Sequence, residues 1–237
     1  MNGVRAAARL HFTKKEMTFA VPLYITGVAA VITVLISLMF WRAGSSIGSP
    51  EWISGSRSNA SIASWLGGFL TYMGVQSVAT TFPFALTLGS TRRAFVGGTL
   101  LWAVGTAAYL TMVLTALTLL ELATGHWFVG FHVFDVSTLG SGDVTRLVPI
   151  VFLGSLFCLT VGGLFGASWT RFGPRGPAVL GAGLVILTLV GLVLTLPSLT
   201  TALASSQLWW LVVVAVAVVI AFAATATVHL LRSATVR

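Results

Sequence analysis

Charge is what this chain has least of. Thirteen basic and five acidic residues are all the fixed charge in 237 positions, while 57% of the residues are hydrophobic and the mean hydropathy is +0.99. A water-soluble domain of this length needs a polar skin that so few charges cannot supply. Lipid removes the need, because it solvates apolar side chains directly. Cysteine is nearly absent too. The single Cys158, inside an apolar run, excludes an intrachain disulfide and any paired-cysteine zinc site. Paired carboxylates and H-E-x-x-H are missing, so no enzyme chemistry is legible in the chain. The net charge of +8 is not a nucleic-acid footprint, because no basic domain with interleaved aromatics accompanies it.

What is present is a set of long uncharged runs: 25 residues at Met17–Trp41, 34 at Ser58–Thr91, 27 at Ala94–Leu120, 24 at Leu147–Thr170 and 56 at Gly176–Leu231. A helical crossing takes about 20 apolar residues, so the last run must hold two, broken at its polar, proline-containing cluster Pro197–Gln207. The runs lack the ten-residue alternation of an outer-membrane barrel. The fold class expected is therefore all-α, a polytopic membrane protein with six transmembrane helices at about 19–41, 63–86, 95–120, 147–169, 178–197 and 208–231, in one transmembrane domain. Residues 1–18 form a basic N-terminal segment. Its apolar run is of span length, with no clear small-residue cleavage site, which reads as a retained anchor rather than a signal peptide.

With the N-terminus inside, ten of the thirteen basic residues fall in inner segments: Arg5, Arg9, Lys14, Lys15, Arg92, Arg93, Arg171, Arg175, Arg232 and Arg237. Only Arg42, Arg57 and Arg146 fall outside, which favours N-in, C-in. No charged side chain is then at mid-membrane, which argues against a proton-driven carrier.

Several local patterns carry two readings. Residues 4–16 are an interfacial helix, with Arg5, Arg9 and Glu16 on one face, or a frayed basic tail. In the second span Phe69, Tyr72, Met73, Gln76 and Thr80 share a helical face, either as a wall of a substrate cavity or as interhelical contacts, and Pro83 should kink its inner end. Gly162 and Gly166 permit close helix approach, within the subunit or at a dimer seam. The Gly/Ser-rich 42–62 loop, expected to be flexible, contains the sequon Asn59-Ala60-Ser61, a chance-level match. In the 121–146 loop Trp127, Phe131 and Phe134 recur at helical spacing as for an interfacial helix. His126, His132 and Asp135 offer loose metal-ligand types, against which interfacial anchoring is the favoured reading. The metal, cofactor and catalytic sets expected of this chain are empty.

The turn Ala85-Leu86-Thr87-Leu88-Gly89-Ser90-Thr91-Arg92-Arg93-Ala94-Phe95-Val96-Gly97-Gly98 resembles the cytoplasmic turn after the second span in ABC-2 type transporter permeases, where a glycine, a hydroxyl residue, two basic residues, an aromatic and a glycine recur. The six-span layout and the basic N-terminal helix are similar as well. The resemblance implies that Gly89, Ser90, Thr91, Arg92, Arg93 and Phe95 couple to a separate ABC ATP-binding subunit, and that residues 4–16 touch it too. It also implies a second permease copy or homologous permease, membrane lipid as the only other partner class, and a multi-pass place in a bacterial plasma (inner) membrane. No G-x-x-x-x-G-K-[ST] occurs, so ATP and Mg are expected on the partner subunit and no cofactor on this chain. The expected function is the membrane-spanning subunit of an ATP-driven exporter of an amphipathic or apolar small molecule, lipid or peptide. The competing readings are a non-transporting assembly or immunity protein and an ATP-independent channel or carrier.

Overall fold

The computed structural model describes residues 2–203 and 209–232, with the backbone alone at 2, 192, 194–203 and 209–211. The described chain is all-α. Its helices are α1 (Asn2–Thr13), α2 (Val21–Arg42, entered through a wider π-helical turn at Glu16–Ala20), α3 (Pro50–Arg57), α4 (Ser61–Ala79), α5 (Thr81–Thr87), α6 (Arg92–Ala123), α7 (Val144–Phe172), α8 (Arg175–Leu203) and α9 (Trp209–Arg232). Among the described residues, four stretches are long and apolar enough to cross a membrane: Glu16–Arg42, Arg92–Ala123, Val144–Phe172 and Val212–Arg232. The chain is thus a helical protein of multi-pass membrane character. Helices α4 and α8 overlap in sequence the segments 63–86 and 178–197.

The observed helices overrun their charge-delimited boundaries. Arg42, Arg171 and Arg232 fall in last turns, where a cation meets the negative end of the helix dipole and its long stem can reach toward water. A charge therefore need not end a helix. The expected break does not begin at Pro197: α8 continues to Leu203, and residues 204–208, with Gln207, lie outside the described residues, as does Arg237.

The second predicted span, 63–86, is two helices. Pro83 has no N–H to give the carbonyl of Ala79, four residues back, and α4 ends at that residue. Thr80 stabilises the junction by donating its hydroxyl to Gln76 O at 2.7 Å. The 42–62 loop is likewise more ordered than its composition suggests. Ser49 caps α3 by accepting the Trp52 amide at 3.1 Å, with Pro50 at the first helical position. Asn59 is committed internally: its amide donates to Thr33 Oγ1 (3.0 Å) and its oxygen accepts the Ser61 amide (2.9 Å), so the sequon nitrogen is engaged in the fold.

The chain divides into two compact units. One comprises Met1–His11, Thr71–Leu101 and Phe157–Arg237; the other comprises Phe12–Leu70 and Trp102–Leu156. The core of the first gathers Val78, Phe82, Ala85, Phe95, Val96, Ala167 and Leu231. Within it Gly162 and Gly166 lie against α4. A Cβ on Gly162 would fall on the carbonyl of Thr71 and 3.0 Å from the Cα of Gly74, and one on Gly166 would fall 2.6 Å from the carbonyl of Val75. The glycine pair therefore seats two helices in backbone contact inside the chain.

The second unit is built around an irregular segment rather than a helix. Phe131–Val136 are all buried, and Val133, Phe134, Val136 and Leu139 pack with Ala29 of α2, Ile62 and Leu66 of α4, Leu114 of α6 and Leu147 of α7. The helical spacing of Trp127, Phe131 and Phe134 does not become an interfacial helix. The two phenylalanines are core residues of a non-helical stretch, whose backbone can sit among apolar helices only if its own polar groups are supplied with partners.

Candidate functional site

Two regions draw the chemistry-bearing side chains together, one in each unit. In the first unit, α1 lies along the start of α6. A face of small residues makes that possible: a Cβ on Gly3 would fall 3.2 Å from that of Ala94, one on Gly97 would fall 3.3 Å from Val4, and Ala7 and Ala8 are buried against Gly98, where a Cβ would collide with Ala7. Thr99 Oγ1 donates to Phe95 O (3.0 Å), which leaves it to accept from His11 Nε2 at 3.0 Å. Arg5 and Arg9 of α1 are exposed. α1 is thus two-faced, with the covered stripe running through Val4, Ala7, Ala8 and His11 opposite the exposed Arg5 and Arg9, while Glu16 lies beyond its end.

The predicted coupling residues separate in role. Gly89 takes a left-handed conformation (φ 78°) that closes α5, and Thr91 Oγ1 accepts the Ala94 amide (3.2 Å) to start α6. Arg93 and Leu88 are exposed. Arg92 turns back onto α9 and donates through Nη1 to the carbonyls of Leu231 (2.7 Å) and Arg232, satisfying the end of that helix. Phe95 is not presented to solvent at all: it is fully buried, edge-on to Phe82 at 5.2 Å and beside His11 at 5.6 Å. The surface of this turn is therefore Leu88–Thr91 and Arg93, while Arg92 and Phe95 hold it to the unit.

Of the five residues expected to wall a cavity, Met73 is buried, Phe69 and Gln76 are half-buried, and Tyr72 and Thr80 are exposed. An apolar hollow of about 530 Å³ does exist, in the second unit along α2, lined by Thr26, Ala30, Val34, Leu117, Trp127 and Phe134; none of those five reaches it.

The second region is a polar cluster at the base of the 124–143 loop. Glu121, near the end of α6, and Asp135 are both fully buried. Glu121 faces the amides of the buried segment. Oε2 accepts from Phe134 N (2.7 Å) and Oε1 from Val133 N (3.1 Å) and Asp135 N (3.4 Å), while the Trp127 indole donates to Oε2 at 3.1 Å. This carboxylate supplies the partners that the irregular backbone lacks. His126 Nδ1 is 3.3 Å from Glu121 Oε1, and the His126 and His132 rings are 4.0 Å apart. His132 Nδ1 reaches Asp135 Oδ2 at 3.0 Å, and Arg57 of α3 donates to the same oxygen through Nη2 (2.7 Å) and Nε (3.1 Å). Burial, and then the neighbouring His126, push His132 below the usual imidazole range. Asp135 Oδ1 is buried with no hydrogen-bond partner among the described residues.

Chain geometry brings His126 back over this cluster. Gly125, His126, Trp127 and Phe128 all have φ near +60°. For the three residues that are not glycine this costs roughly 1–2 kcal/mol each. Around it, Trp52 of α3 donates to Gly130 O (3.1 Å) and stacks obliquely on Phe131, and Ser137 donates to Arg57 O (2.9 Å). Sequence spacing had found His126, His132 and Asp135. It missed Glu121 and Arg57, whose roles depend on a left-handed turn that no periodicity announces. Comparison with protein-family models, curated proteins and solved structures finds no match to this chain.

Proposed function

We propose that this chain is the membrane-spanning permease subunit of an ATP-driven exporter, powered by a separate ATP-binding subunit that docks on the Leu88–Arg93 turn. The supporting observation is that α1, α5, the start of α6 and the end of α9 are joined around that turn by backbone-close packing and by Arg92. A push on exposed Leu88, Gly89 and Arg93 moves them as one body, and α6 carries the displacement along its 32 residues. The basic flank of α1, Arg5 and Arg9, adds a second contact for an acidic partner surface. In this reading six helices cross with both termini in the cytosol. Exposed Tyr72 and half-buried Gln76 of α4, with exposed Thr80 just past its end, face a substrate path completed by a second permease, because a polar stripe is costly against lipid.

Arg93→Glu tests this more cleanly than any change at Arg92, which also caps α9. Purified in mild detergent, the wild-type chain should bring an ATPase with it, and Arg93→Glu should lose that partner by at least tenfold while keeping its own elution profile. An Arg93→Glu chain that retains the partner and full transport at equal expression would refute the coupling role. Reporter tags after Arg93 and Arg175 should read out on the cytosolic side; an external position for either removes the docking surface.

A further inference from the structure

The polar cluster of the second unit has the makings of a cation site that the exporter reading neither requires nor predicts. We propose that Glu121, His126 and His132 bind a divalent transition-metal ion of the zinc type, with Asp135 and Arg57 positioning the ligands from behind.

One ligand atom from each of Glu121, His126 and His132 lies within 4.8 Å of the others. The closest measured pair, His126 Nδ1 and Glu121 Oε1 at 3.3 Å, already matches two ligands on one tetrahedral zinc, which stand about 3.3 Å apart when metal–ligand bonds are about 2.0–2.1 Å. His126 has the freedom to adjust toward an ion, its side chain being 26% exposed, whereas Glu121 is fixed by three backbone amides.

The donor set selects the metal. Two imidazoles and one carboxylate suit zinc, nickel, cobalt or copper, and not magnesium or calcium, which take oxygen shells. His132 also has the support expected of a ligand. With its Nδ1–H given to Asp135 Oδ2, the lone pair sits on Nε2, and Arg57 holds that carboxylate in place. A carboxylate behind a histidine fixes its tautomer and raises its basicity toward a metal.

Two independent features point the same way. Asp135 Oδ1 is fully buried and unpaired among the described residues, an acceptor beyond what Arg57 and His132 use. The left-handed run at His126, Trp127 and Phe128 is strained backbone whose result is to fold His126 onto Glu121, and such strain persists where a ligand clamp repays it. An ion here would also separate two imidazoles whose ring centres stand 4.0 Å apart beside two carboxylates.

The test uses tag-free, full-length protein in detergent, stripped with a chelator and titrated calorimetrically with zinc, cobalt, magnesium or calcium. Expected are one zinc per chain, no saturable uptake of magnesium or calcium, and an intense visible absorption with cobalt that reports tetrahedral nitrogen/oxygen ligation. His126→Ala and His132→Ala should each weaken zinc by roughly 10–100-fold, and Asp135→Asn by about tenfold. His126→Ala removes a partly exposed side chain and preserves the fold, which its unchanged elution profile verifies. Zinc affinity equal in the wild type and His126→Ala, or magnesium bound as tightly as zinc, would overturn the site. Because the readout is metal binding, it stands or falls separately from the transport assignment.

Discussion

Replacing Gly162 with valine should leave little folded protein, whereas the same replacement at Gly154, eight residues earlier in the same helix, should be tolerated. The contrast follows from what a side chain would meet. Around Gly154 there is nothing within 4 Å, but at Gly162 a single Cβ already lands on the Thr71 carbonyl and 3.0 Å from Gly74. The obstacle is backbone, not the end of a flexible side chain, so it can be relieved only by parting α7 from α4. Overpacking a close-fitting site costs about 1–3 kcal/mol for the first added carbon, and the two further methyls of valine exceed what the seam can absorb. Gly162→Ala should thus lower the unfolding temperature by several degrees, roughly 2–4 °C per kcal/mol in a chain of this size. Gly162→Val should shift most of the protein to the void volume in size-exclusion chromatography. Gly74→Ala, whose added methyl meets the Leu159 carbonyl and Gly162, should match Gly162→Ala. If Gly162→Val elutes like the wild type, the two helices are not in backbone contact.

The helices were legible because lipid-facing segments announce themselves by missing charge, a signal that survives without any partner or alignment. The differences at their ends have one cause: an arginine does not mark a terminus, since Arg42 and Arg171 complete last turns and Arg92 opens α6. Pro83, expected to kink the helix, acts four residues upstream, at the carbonyl it cannot serve, which is where α4 gives way to α5. At the exposed turn, residue types predicted a docking surface without distinguishing groups that face outward from groups that hold the turn; Phe95, the aromatic of the pattern, is a core residue. The 124–143 loop was the least legible part. A period-seeking reading saw Trp127, Phe131 and Phe134 as one helical face. The chain instead spends three non-glycine residues in the left-handed region and, after Val129 and Gly130, threads Phe131–Val136 into the core. Nothing in local composition demands that, since the decisive partner, Glu121, belongs to α6 and meets residues 12 to 14 positions away.

Removing that partner should have the largest effect of any polar substitution in the chain. Glu121→Ala takes away the acceptor of the Val133, Phe134 and Asp135 amides and of the Trp127 indole at once. An unsatisfied buried donor costs about 1–3 kcal/mol, and these donors cannot find water while Val133, Phe134 and Val136 remain packed against four helices. The unit can escape only by expelling the segment, which exposes the apolar surface it covers. A loss of about 4 kcal/mol or more is expected, read as a fall in unfolding temperature and as new protease cleavage within residues 124–143. Glu121→Gln distinguishes hydrogen bonding from charge. Its amide oxygen can still accept from some of the backbone donors, but its NH2 points a donor at the rest, so about half the loss should remain. Arg57→Ala should fall between them. It strips Asp135 of two hydrogen bonds and leaves a buried carboxylate facing His132 and, farther off, His126, although Arg57 itself is partly exposed and water can replace some of what it gives. The double variant Arg57→Ala/Asp135→Asn should recover part of that loss by removing the stranded charge. A cycle in which Arg57→Ala is silent, or in which Glu121→Ala leaves loop proteolysis unchanged, is incompatible with a segment held in the core by these two carboxylates.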